Sequence, residues 1–157
     1  MEYNFTKGSM PPIYMLLNCT AHLFGPRLYE QFFFEHDLEI IRMFYDNNQR
    51  YMLHHCGYFD IFASMYRRIP HADMVQIGSS SNPQIALEAF PEADIEYVVS
   101  PIEVLTYSKE QLRDRVTGLL SSAGDGLDRF SLVVADLETG TPDENIVEIY
   151  NCCKNIV

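Results

Sequence analysis

Five short apolar runs recur along the chain: Ile13 to Leu17, Tyr51 to Cys56, Met74 to Ile77, Ile95 to Val99 and Ser131 to Ala135. Each has strand length and ends in small or polar turn formers, so each predicts a buried β-strand. Helical periodicity fills the intervals. From Pro26 to about Asn48, Leu28, Phe32, Ile40, Met43 and Phe44 recur on one face, predicting one long amphipathic helix with Pro26 in its first turn. Phe32, Phe33 and Phe34 cannot share that face, so they read as core residues rather than a ligand-binding aromatic surface. A second helix is predicted from Tyr58 to Arg68, carrying Phe59, Phe62, Ala63 and Tyr66 and stopped by Pro70. A third runs from Pro83 to Phe90. Ser108 and Gln111 form a capping-box pattern ahead of Leu112, Val116, Leu119 and Leu120, which predicts a helix ending at Ala123-Gly124. The last helix starts at Thr141-Pro142, with Glu144 completing a second box and Ile146, Ile149, Tyr150 and Cys153 forming its buried stripe.

Strand and helix alternating five times predict parallel strands joined by crossover helices. Two architectures accept that pattern: a five-stranded doubly wound parallel sheet, or five consecutive βα units of an eight-unit barrel. Length alone favours the first. The 157 residues, 47% hydrophobic, suit a single domain over residues 11–157, preceded by a loose lead-in over 1–10. A net charge of −11 argues against a nucleic-acid partner, because phosphate binding needs clustered Lys and Arg. No long apolar run or basic-apolar leader is present in the sequence, so no membrane partner is expected and the expected location is cytoplasmic. The four cysteines are too sparse for a disulfide scaffold and are read as reduced thiols.

In both architectures the functional site lies at the carboxyl ends of the strands, and the reactive side chains gather there. Asn18, Cys19, Thr20 and His22 follow the first strand, a Gly78 to Pro83 serine loop the third, and Asp136 and Glu138 the fifth. The second strand ends in the most chemically loaded stretch, His54-His55-Cys56-Gly57. Alternation along a strand puts His54 and Cys56 on one side and His55 on the other. An imidazole and a thiol converging in this way make half of a zinc site. His55 is expected to pack on the helix-facing side. No nucleophile-elbow or phosphate-loop motif occurs.

The His-x-Cys-Gly strand end resembles that of the uroporphyrinogen decarboxylase superfamily, whose members include zinc- and corrinoid-dependent methyltransferases. Two further landmarks carry the resemblance. The Pro26 to Phe32 segment is similar to the family's Pro-x-x-Tyr-x-x-Phe helix entry, and Thr141-Pro142-Asp143-Glu144-Asn145 to its final helix start. The resemblance implies that the chain is the carboxyl-terminal part, five of eight units, of a TIM-type (βα)8 barrel. It implies methyl transfer from a methylated corrinoid protein to a zinc-activated thiol or a folate. Alternatives are tetrapyrrole decarboxylation, or a metal-binding or interaction module lacking the front half of the barrel. Carried over to this sequence, the zinc ligands are His54 and Cys56. The family's third ligand, a cysteine before the last helix, is missing here, with Asp136 the nearest substitute and Glu138 or Cys19 the others. One open position would take a substrate thiol or water. Thr20 to Gly25 falls one residue short of the Asp-x-His-x-x-Gly corrinoid-binding signature and no Gly-Gly follows, so the corrinoid is expected on a partner protein. An open barrel exposes its first and fifth strands as edges, and a second copy or the missing half is expected to cover them.

Overall fold

In a computed structural model, residues 13–154 are described, and the lead-in expected over 1–10 lies outside them. The chain forms an α/β fold around a five-stranded, wholly parallel sheet. The strands are β1 (Tyr14–Leu17), β2 (Tyr51–His55), β3 (Met74–Ile77), β4 (Asp94–Val99) and β5 (Phe130–Val134). They lie side by side in sequence order, without the reversal that marks a switch point in a doubly wound sheet. Right-handed crossovers that all step the same way leave their helices on one face of the sheet.

Burial follows that asymmetry. Tyr51, Leu53 and His55 of β2, Val75 and Ile77 of β3, and Ile95, Tyr97 and Val99 of β4 are almost wholly buried. They form the core with Phe59, Phe62, Tyr66, Val104, Leu112 and Val116. The alternate positions face the other way and are only half-buried at His54, Gln76, Glu96 and Val98. Register lines up three of these side by side, His54 with Gln76 and Gln76 with Glu96. A polar row therefore crosses three strands on the open face.

The helical layer comprises α1 (Ala21–Phe32), α2 (Phe34–Asp46), α3 (Ala63–Tyr66), α4 (Pro83–Ala89), α5 (Pro101–Thr106), α6 (Lys109–Ala123) and α7 (Asp143–Lys154). The single long helix expected from Pro26 to Asn48 is in fact two, and it starts earlier. Gly25 sits at φ +70 inside α1, a conformation open to glycine, and Pro26 opens the stretch that follows it. Phe33 breaks the second junction at φ −125. The break lets three adjacent aromatics diverge: Phe34 is fully buried, whereas Phe32 and Phe33 are exposed. The Tyr58 to Arg68 segment forms a 3-10 turn over Asp60–Phe62 and then α3, shorter than expected. Helix α5 was not anticipated. The capping box at Ser108 and Gln111 is present as read. No helix among the described residues is long and apolar enough to cross a membrane. Strands β1 and β5 are the sheet edges, and Tyr14, Met15 and Leu17 of β1 are exposed.

Candidate metal centre

The site is built where β1 and β2 end. Leu17 pairs with His54, and the Asn18 amide donates to the His54 carbonyl at 2.8 Å. That pairing places the turn after β1 beside the last residues of β2. Cys19, in the turn, meets His54 and Cys56, and the three ligand atoms all lie within 4.8 Å of one another. Among the described residues this is the group that could hold a metal ion.

The imidazole of His54 is set for ligation by the polar row. The Glu96 carboxylate accepts, so the Gln76 amide nitrogen faces it and donates to it. The Gln76 carbonyl oxygen is thereby turned toward His54, whose Nδ1–H donates to it. Nε2 is then the bare nitrogen, and it points at Cys56 Sγ from 2.7 Å. A metal-binding histidine commonly donates its other N–H to a carboxylate or carbonyl in this manner. Here Gln76 relays the Glu96 charge one strand farther.

The donor set fits zinc. Zn–S near 2.3 Å and Zn–N near 2.0 Å would put tetrahedral sulfur and nitrogen ligands roughly 3.5–3.8 Å apart, so the His54–Cys56 pair would have to open by about 0.8 Å to admit an ion. Without an ion, partial desolvation pushes the Cys56 thiol up to about 11, helped by the neighbouring Cys19 and by the charge of Asp136. A coordinated metal reverses that preference by stabilising the thiolate.

A second network holds the same strand ends from the helix side. His55 is fully buried, with Phe62 4.8 Å from its ring centroid and Phe59 and Tyr66 edge-on to it. Its Nδ1 meets the Tyr66 hydroxyl at 2.9 Å. Asn18 is also buried and donates to the Tyr29 hydroxyl at 2.7 Å and, at 3.4 Å, to that of Tyr66; Tyr29 in turn donates to Asp37. Burial, with the nearby His22 and His54, lowers His55 to about 4, so it is neutral at pH 7. Asn18 and His55 thus anchor the backbone on either side of the three ligands. Gly57 and Gly78 complete the floor. A Cβ on Gly78 would stand 2.9 Å from the Gly57 backbone, and one on Gly57 would stand 2.9 Å from His22 Cγ.

A cleft of about 250 Å³ opens beside the cluster, lined by His54, Cys56, Gln76, Ser79, Ser80 and Asp136, among others. Ser81 instead turns inward, accepting from the Phe59 amide and donating to the Gly57 carbonyl. Of the substitutes foreseen for the third ligand, Cys19 is the one that joins His54 and Cys56. Asp136, at φ +53, lines the cleft outside the three-atom cluster, and Glu138 is exposed in the following turn. Gln76 and Glu96 were not foreseen as functional, although each is a polar residue alternating with apolar ones inside a buried strand.

Compared with known proteins, the chain matches no family model and no curated protein sequence.

Proposed function

We propose that this chain is a uroporphyrinogen decarboxylase-like domain that holds zinc on Cys19, His54 and Cys56 and activates a small thiol to accept a methyl group from a methylated corrinoid protein. The observation that carries the reading is the convergence of two thiols with a bare imidazole nitrogen at the carboxyl ends of adjacent parallel strands. Sequential strand order supports the finer fold reading, since consecutive units of a (βα)8 barrel follow one another in that order. In such a barrel the His54, Gln76 and Glu96 row would face the interior.

Zinc held there would supply Lewis acidity and lower the pKa of an acceptor thiol. The protein does the rest by positioning. Cys19, His54 and Cys56 would hold the ion, and Gln76 fixes the His54 ring. Asp136, which lines the same cleft as Cys56, would take the proton an incoming thiol gives up. At about 250 Å³ the cleft suits a small thiol better than a folate, and the corrinoid stays on its carrier. Tetrapyrrole decarboxylation is disfavoured because, among the described residues, no Arg or Lys lines this cleft to receive substrate carboxylates.

The test is transfer from methylcobalamin to 2-mercaptoethanol by the zinc-loaded chain, followed by the visible spectrum of the cobalamin. Demethylation that disappears in Cys19→Ser and His54→Ala is expected. Stoichiometric zinc without any transfer would instead make the chain a metal-binding module.

A further inference from the structure

Two of the three side chains at the centre are thiols set close together. The Cys19 and Cys56 sulfurs lie within 4.8 Å of each other. A disulfide spans about 2.0 Å between sulfurs, so closure asks for an approach of at most about 2.8 Å. Neither residue is inside a helix or strand: Cys19 is in the turn after β1 and Cys56 is the first residue beyond β2. Cys56 is exposed and Cys19 partly so, which gives an oxidant access. The other two thiols make a built-in contrast. Cys152 and Cys153 are consecutive on α7, where neighbouring side chains diverge around the helix, and Cys152 is turned to the Glu148 carboxylate at 3.9 Å.

We propose that Cys19 and Cys56 form a reversible disulfide when the metal position is empty. The chemistry balances with hydrogen peroxide as oxidant. One sulfur attacks a peroxide oxygen, giving a sulfenic acid and water, and the second sulfur displaces hydroxide to form the S–S bond. Two thiols and one peroxide become one disulfide and two waters, a two-electron oxidation that a dithiol reductant reverses. The bond itself needs only the two thiols. Its consequence rests on the zinc reading above: oxidation removes two of three ligands, and bound zinc protects both sulfurs.

The full-length chain, stripped with a chelator and treated with hydrogen peroxide, is followed by thiol titration and peptide mass mapping. Two of the four thiols should be lost, a Cys19–Cys56 crosslinked peptide lighter by two hydrogens should appear, and dithiothreitol should restore all four. Cys19→Ala and Cys56→Ala should each abolish the crosslink. The proposal is overturned if the stripped chain keeps four reactive thiols, if either cysteine ends as a sulfinic acid, or if the crosslink engages Cys152 or Cys153. The two readings separate cleanly. A crosslink in a protein that never binds zinc supports the disulfide and removes the zinc reading, and zinc binding without a crosslink in the stripped protein does the reverse.

Discussion

Replacing Gln76 by Leu tests the feature that, on the zinc reading, would prepare His54 as a ligand. Gln76 accepts from His54 Nδ1–H and donates to Glu96, and the three residues stand in register across β2, β3 and β4. Leucine keeps the bulk and removes both bonds. The imidazole is then free to rotate, and its proton is free to move to Nε2, the atom that must carry a lone pair to the metal. Loss of such an outer partner costs about 10- to 100-fold in metal affinity, which is about 1.4–2.7 kcal/mol. Competition against a chromophoric zinc chelator measures this directly, and nitrogen-detected NMR of the metal-free chain reports the tautomer. The expected result is weaker zinc binding with a shift of His54 toward the Nε2–H form, at a thermal stability close to that of the parent. Zinc affinity within about twofold of the parent would show that the row does not serve the centre, since outer-partner effects start near tenfold.

Other substitutions probe the centre and the frame separately. Cys56→Ser should lose stoichiometric zinc by elemental analysis, whereas Cys152→Ser, on α7 and away from the cluster, should retain it. For the metal-free protein, stability should decline as pH falls from about 6.5 toward about 4, because His55 takes up its proton more readily when unfolded. The loss should reach about 3 kcal/mol at most, and urea midpoints across that window should flatten in His55→Gln. Gly78→Ala drives a Cβ to 2.9 Å from backbone atoms of Gly57 and should cost about 1–3 kcal/mol. Gly118→Ala, in α6 with open space around it, should gain about 0.5–1 kcal/mol, both glycine changes being read by thermal denaturation.

The five strands were readable because apolar runs bounded by turn residues are local signals, and each run lies within about a residue of its strand. Helix α5 carries its own local signal: Ser100 caps it by accepting from the Glu103 amide, with Pro101 in the first turn. The division between α1 and α2 was harder to foresee, since hydrogen bonds of helical spacing, from the Phe33 amide to Tyr29 and from the Asp37 amide to Phe33, bridge the break. At the site, alternation correctly separated His54 and Cys56 from His55. What alternation could not supply was distance across the sheet. Cys19 lies far from Cys56 in sequence, and only the pairing of Leu17 with His54 brings the two together. Asp136 looked the closer substitute for a family ligand because it follows β5 near the last helix, but it reaches the cleft wall and not the cluster. The polar row shows the same limit: Gln76 and Glu96 were visible as polar residues inside strands, and register alone makes them a relay.

The number of sulfur ligands around bound zinc tests the central claim most directly. X-ray absorption on the zinc-loaded chain should give two sulfurs near 2.3 Å and a nitrogen near 2.0 Å, from Cys56, Cys19 and His54. Cys19→Ser should reduce the sulfur count by one, and Asp136→Asn should leave the shell unchanged. A shell with one sulfur that loses an oxygen in Asp136→Asn would contradict the account and move the third ligand to the cleft wall.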